Sequence, residues 1–284
     1  MDLGTSYRRC ARITRRRARN FYFAFRSLPQ AERHAVYALY AFCREADDAA
    51  DSDAPVAAKR GALSALRRRL AQAAEGAPES AADAALADTI RRFAVDAADL
   101  EDVIDGVEMD LDPPRLETFA DLRHYCYHVA AAVGLATLPV LAAGASLSDE
   151  MRDAAVALGL GMQLVNVLRD IEEDLARGRV YLPNDLLLAH RVPRDAFAKR
   201  QDSPALRAAL RELGARARTY LDHGRRLPDL LPKGRRACPR LLSEIYGRIL
   251  DRIERDGYVP FRARVGLPTA EKLWLLASAA WRDE

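Results

Sequence analysis

Cysteine is scarce in this chain. The four present, Cys10, Cys43, Cys126 and Cys238, are scattered, with no CxxC pair and no Cys/His cluster at zinc spacing. That pattern argues against a disulfide framework and a zinc site, and it fits a reducing cytoplasm. Long apolar runs are missing as well: no stretch of about eighteen apolar residues is seen, so a membrane-spanning helix is not expected. Charges stand near the N-terminus where a signal peptide would carry its apolar core, so secretion is not expected either. Aromatic residues are only 7% of the chain. β-branched runs are short and no alternating strand stands out, which leaves little to build a sheet from. Low-complexity linkers and internal repeats are also lacking, so a single domain over residues 1–284 is expected.

What remains is alanine, leucine and charge. Half of the residues are apolar, enough for a sizeable core in 284 residues. The composition favours helices almost everywhere, giving an all-α class. Helical spacing of Val36, Leu39, Tyr40 and Cys43 after Pro29 predicts a helix from about Ala31 to Asp51. Others are expected near 55–75 and 81–96, from Phe119 to Gly144 with a bend near Gly134 and Pro139, and from Asp149 to about Ala176. The last third predicts helices near 204–226, 239–256 and 269–281. A Pro–Pro break is expected at Pro113 and Pro114. Net charge is only +3, yet RRCARITRRRAR (Arg8 to Arg19) makes residues 1–19 a basic segment. It reads as a solvated helix face, or as a contact for an anionic membrane or polyanionic substrate. Nucleic acid is disfavoured, because aromatic interleaving and a binding motif are absent.

Two acidic stretches break the apolar pattern: YAFCREADDAAD (Tyr40 to Asp51) and GMQLVNVLRDIEEDLARGRVYLP (Gly161 to Pro183). Each carries aspartates four residues apart, Asp47 with Asp51 and Asp170 with Asp174. Residues at that spacing share a helix face with Cβ atoms roughly 5–6 Å apart. Two carboxylates about 5 Å apart repel by roughly 3 kcal/mol at an effective dielectric near 20. Divalent cations relieve that repulsion, and Mg²⁺ typically takes one or two carboxylates and completes its shell with substrate phosphate oxygens. The pairs therefore suggest diphosphate handling. Gln163 and Asn166 extend the second stripe, and Tyr37, Tyr40 and Arg44 the first. Arg44 and Arg169 suit bidentate contact with phosphate oxygens. Asp48, Glu172 and Glu173 fall off the stripes and read as surface charge. A di-iron bundle would need Glu-x-x-His motifs, and none is present.

These stretches resemble the squalene/phytoene synthases, which join two prenyl diphosphates head to head on the trans-isoprenoid synthase fold. The resemblance runs from NFYFAF (Asn20–Phe25) through YAFCREADDAAD, YCYHVAAAVG (Tyr125–Gly134) and QLVNVLRDIEEDLARGRVYLP to EIYGRIL (Glu244–Leu250). It implies one helical bundle around a central apolar cavity. It implies Mg²⁺, with Mn²⁺ as its substitute, held by Asp47, Asp51, Asp170 and Asp174. Asn166 and Gln163 match the site's polar partners, Tyr40, Arg44 and Arg169 match residues around the diphosphates, and Tyr125, Tyr246 and, more loosely, Arg264 match further site positions. Ala18 stands where many relatives have a serine.

Phe21, Phe25 and Tyr37 would make a bulky wall that favours farnesyl over geranylgeranyl chains, although such spacing also suits plain core. Tyr181 in GRVYLP closes the site as a flap or simply anchors a loop. In DGVEMDL, Asp105, Glu108 and Asp110 read as a solvated helix end, and His124 and His128 as packing or surface residues. The expected reaction is a condensation of two farnesyl diphosphates to presqualene diphosphate, with or without onward reduction to squalene, as in bacterial hopanoid pathways. Phytoene synthesis from geranylgeranyl diphosphate is the alternative of the same class. A non-catalytic assembly protein is the alternative of another class, disfavoured because both acidic pairs and both arginines are intact. NADPH use stays open, since no nucleotide fingerprint is present although relatives manage without one. Peripheral membrane contact and oligomeric state also stay open.

Overall fold

The computed structural model describes residues 2–281 apart from 81, 113, 114 and 194, and among them every regular element is a helix. The expected Pro113–Pro114 break lies outside the described residues. The N-terminal basic segment forms α1 (Leu3–Arg17), followed by the short α2 (Arg19–Phe25). Arg8, Arg9, Arg12, Arg15, Arg16 and Arg17 are all exposed on α1, as a solvated face requires, while Cys10 and Thr14 turn inward. Pro29, with φ fixed near −53°, opens α3 (Gln30–Ala50), and Asp51 closes it. Then come α4 (Val56–Ala74), α5 (Ala84–Phe93) and α6 (Ala97–Met109), the last started by the Asp96 carboxylate accepting from the Ala98 N–H at 2.9 Å. No helix is expected between 96 and the Pro–Pro break, yet α6 is a full helix whose buried side carries Leu100, Val103, Ile104 and Val107.

A capping box between Thr118 and Asp121 starts α7 (Phe119–Cys126). The chain then widens into a π turn over Tyr127–Ala131, where the Ala132 N–H reaches back to the Tyr127 carbonyl, before α8 (Ala132–Ala142). The irregularity thus falls ahead of Gly134 and Pro139, where the bend was expected. Phe119–Ala142 is the one described segment with the length and composition to cross a membrane, and 61% of its apolar window is buried against neighbouring helices. Ser148 caps α9 (Asp149–Arg169), which stops at Asp170 and resumes as α10 (Ile171–Ala176). A single helix was expected here. Asp170 adopts φ −105°, ψ 14°, while its own Arg169 grips its carboxylate at 2.6 and 2.7 Å, and the axis kinks at that residue.

The remaining helices are α11 (Asn184–Ala189), α12 (Pro204–Gly224), α13 (Leu227–Leu230), α14 (Ala237–Arg255) and α15 (Thr269–Trp281). Two helices organise the bundle. α3 packs on α1, α4, α5, α6 and α8, and α9 on α12, α8, α14 and the π turn. All four cysteines are buried and free.

Candidate active site

α3 and α9 face each other across two joined cavities that both helices line. The larger, about 320 Å³, is mostly apolar: Val103 and Val107 come from α6, Val129, Ala130 and Val133 from the π turn and the start of α8, and Leu227, Pro239 and Leu242 from α13 and α14. The smaller, about 270 Å³, is almost wholly polar and takes in Asp47, Asp51, Asp170 and Asp174 together. Asp47, Val107, Gln163 and Asn166 belong to both walls, so the polar compartment opens directly onto the apolar one.

The expected residues distribute between the compartments. Phe21, Phe25, Tyr40 and Arg44 line the apolar side, with the Phe21 ring 5.9 Å from Phe25 and 6.3 Å from Tyr40. Tyr125, Arg169, Tyr181 and Arg264 line the polar side. Two expected residues lie behind the walls. Tyr37 is buried, stacked on Tyr22 at 6.2 Å and edge-on to Phe25 at 6.2 Å, so it backs the aromatic wall without facing the cavity. Tyr246 is buried against Phe21 at 6.3 Å, and its hydroxyl meets the Arg169 guanidinium. Asp170 and Asp174 line the same compartment although the helix is interrupted at Asp170.

Charge in the polar cavity is only partly paired. Asp170 receives Arg169 and, at 2.9 Å, Arg264; Asp51 receives Arg177 at 3.3 Å and Arg179 at 3.4 Å. Among the described residues Asp47 pairs with Arg44 alone, at 3.9 Å, and that guanidinium gives its closer contact, 2.5 Å, to Asp48. Burial pushes Asp47 up to about 7 against the pull of Arg44, with Asp51 and Asp110 adding to the rise. Burial and Asp170 push Asp174 up to about 7, against Arg177 and Arg179. Two buried polar atoms of cavity-lining residues have no hydrogen-bond partner among the described residues: the Asn166 Oδ1 acceptor and the Arg44 Nε donor. Surplus carboxylate oxygen, a spare carbonyl and a spare guanidinium N–H form a donor set that fits a hard divalent cation beside an anion.

Three residues of the polar cavity escaped the sequence reading: Asp110, Arg177 and Arg179. Asp110 was grouped with Asp105 and Glu108 as a solvated helix end. The latter two do serve structure, each paired with Arg67, at 2.6 and 2.8 Å. Asp110 instead follows Val103 and Val107 at steps of four and three onto the cavity wall, and that periodicity was the available signal. Its carboxylate accepts from the Tyr181 hydroxyl at 2.8 Å and the Tyr125 hydroxyl at 3.3 Å, and the two rings stack at 4.8 Å. Asp48 and Glu172, read as surface charge, pair with Arg44 and Arg200. His124 and His128 pack edge to face at 4.6 Å, as read. His128 also gathers with Asp102 and Asp105, away from both cavities.

The fold recurs in known proteins. The squalene/phytoene synthase family model matches residues 14–271. The 15-cis-phytoene synthase of Synechococcus elongatus is 35% identical over 290 aligned positions, covering 99% of this chain and 94% of the relative. A dehydrosqualene synthase crystallised with a ligand superposes with a TM-score of 0.90 at 29% identity, over 99% of this chain and 97% of its own. The HpnC squalene synthase of Alicyclobacillus acidocaldarius gives a TM-score of 0.85 at 30% identity, over 92% and 97%. A family match over nearly the whole length, on a helical bundle that joins a carboxylate-rich cavity to an apolar one, places this chain in the squalene/phytoene synthase family, metal-using prenyltransferases that act on prenyl diphosphates.

Proposed function

We propose that the protein condenses two molecules of farnesyl diphosphate head to head into presqualene diphosphate. The observation that carries this reading is the junction of the two cavities at Asp47, Gln163 and Asn166, which lets one prenyl diphosphate lie with its head among carboxylates and its tail among apolar side chains. A divalent metal held by Asp47, Asp51, Asp170 and Asp174 would supply positive charge to the leaving diphosphate. Arg44 and Arg169 bind diphosphate oxygens, and Arg44, a lining residue, has an Nε donor with no partner among the described residues. The C1–O bond of the first substrate breaks, its electron pair leaving with diphosphate. The 2,3 double bond of the second substrate attacks the resulting allylic cation, and ring closure to the cyclopropane releases a proton, which the freed diphosphate accepts. Tyr40, Phe21 and Phe25 turn aromatic surface toward the cation, contributing about 0.5–2 kcal/mol each.

The aromatic wall favours the shorter, farnesyl chain. A second reading, phytoene formation from geranylgeranyl diphosphate, is favoured by the phytoene synthase relative at 35% identity. Purified protein incubated with Mg²⁺ and either substrate, with products extracted and identified by mass spectrometry, separates the two. Presqualene diphosphate or squalene from farnesyl diphosphate is expected. Turnover of geranylgeranyl diphosphate alone would replace the first reading with the second.

A further inference from the structure

Residues 177–183 cross the polar cavity as a strap between α10 and α11. Its first half is tied to α10: Gly178 takes φ +72°, and the Arg177 and Arg179 N–H groups donate to the Asp174 carbonyl at 3.0 and 2.9 Å. Its second half depends on side chains. Val180 is exposed, and the Tyr181 hydroxyl donates to Asp110 at 2.8 Å. Arg179 reaches the same residue, donating to the Asp110 carbonyl at 3.3 Å and standing 3.8 Å from its carboxylate. Asp110 also receives Tyr125 of α7, so a single residue at the end of α6 joins α6, α7 and the strap. Arg177 and Arg179, the two strap cations, then point at Asp51, on the opposite wall.

We propose that Asp110 is the positioning residue of this strap: by holding Tyr181 and Arg179 it keeps the Arg177 and Arg179 guanidinium groups aimed into the cavity, where they meet diphosphate. Both carboxylate oxygens of Asp110 already accept tyrosine hydroxyls, which distinguishes it from Asp47 and Asp174, whose carboxylates receive no hydroxyl among the described residues. Removing the carboxylate frees the side chains of Tyr181 and Arg179, so the stretch around Arg177 and Arg179 is left with the backbone hydrogen bonds to Asp174 and opens more often. The proposal rests on the diphosphate reading above for what the arginines bind, but not for how the strap is fastened.

Strap order is read by limited trypsinolysis of the ligand-free protein, since Arg177 and Arg179 are themselves cleavage sites. Asp110→Ala is expected to speed cleavage after these two residues by about tenfold relative to cleavage after Arg8 in the same sample, in line with loss of one or two hydrogen bonds to a charged group. Tyr181→Phe, which removes one partner and leaves Asp110 in place, should give a smaller acceleration and covers the case in which Asp110→Ala does not fold. Asp110→Asn keeps a carbonyl acceptor and should restore most of the protection. In calorimetry, inorganic pyrophosphate in the presence of Mg²⁺ should bind Asp110→Ala about tenfold more weakly, while Mg²⁺ alone binds as to the parent protein. Parent-like cleavage in both Asp110→Ala and Tyr181→Phe would overturn the proposal. So would loss of Mg²⁺ binding with unchanged cleavage, which would make Asp110 a metal ligand. If the parent protein itself fails to bind pyrophosphate, the diphosphate reading falls while the cleavage comparison still decides the role of Asp110.

Discussion

Asp47 and Asp174 carry the clearest chemical signature of any residues in the chain: enclosed by protein and set among other carboxylates, both are pushed up to about 7, although the Asp47 side chain, 50% exposed, still opens to the solvent in the cavity. An ordinary aspartate titrates near 3.9. A carboxyl raised in the folded state favours the protonated form there, so its contribution to stability is fully present below about 4 and is lost as pH rises through about 7. Metal-free protein should therefore lose thermal stability between pH 5 and pH 8 more steeply than an Asp47→Asn variant, which carries no titrating group at that position. Differential scanning fluorimetry of the two across that range should show Tm values that converge at pH 5 and a variant that is the more stable at pH 8. The same substitution should lower turnover at least ~100-fold, an activity loss without a stability loss. Saturating Mg²⁺ should flatten the pH dependence of the parent, since a cation replaces the proton, and calorimetry in two buffers should record proton release on binding near pH 7. The spacing of the two aspartate pairs was legible in the sequence. Their unequal pairing was not, because it depends on Arg177, Arg179 and Arg264 arriving from other parts of the chain.

At the scale of elements, the site depends on how closely α9 approaches its neighbours. A Cβ at Gly159 would lie 2.7 Å from the Ala131 Cα in the π turn, and one at Gly161 would lie 2.8 Å from the Leu221 backbone nitrogen in α12. α9 is thus wedged between two backbones with no room for a methyl group on either side. Gly159→Ala should force α9 away from the π turn at a cost of about 1–3 kcal/mol, read as a Tm lower by roughly 2–10 °C. Because Gln163 and Asn166 sit one and two turns further along the same helix, KM for the prenyl diphosphate should rise as well, and steady-state kinetics tests that. Helix positions were readable from caps and apolar spacing at α3, α12 and α14. The π turn and the kink at Asp170 were not, since both arise from tertiary contacts: the π turn packs against Gly106 and Gly159, and Asp170 is held by Arg169 and Arg264. α6 is hard to read from sequence because its apolar positions are interrupted by Asp102, Asp105 and Glu108, and its role shows only once Arg60 and Arg67 pair with Asp105 and Glu108 and His128 stands beside Asp102.

For the molecule as a whole, the arrangement of helices matters because it leaves space unfilled where a core of this composition would normally close. The apolar cavity lies between α2, α3, α6, α8, α9 and α14, and Phe25, itself buried, forms part of its wall with Tyr37 packed behind. The sequence pattern located the aromatic residues but not their order from the cavity outward, since helical spacing places Phe25 and Tyr37 equally well on a wall or in a core. With Tyr37 set behind Phe25, truncating the front residue should lengthen the space available to a prenyl tail. Phe25→Ala is therefore expected to raise kcat/KM for geranylgeranyl relative to farnesyl diphosphate by about tenfold or more. Phe25→Leu, which keeps most of the volume, should change the ratio little. The truncation also removes buried contact, and a loss of about 3 kcal/mol would lower Tm without altering the ratio of the two substrates, so the ratio isolates the steric effect from the destabilisation. An unchanged ratio in Phe25→Ala would move the limit on chain length away from the aromatic wall to other lining residues such as Leu227 and Leu242.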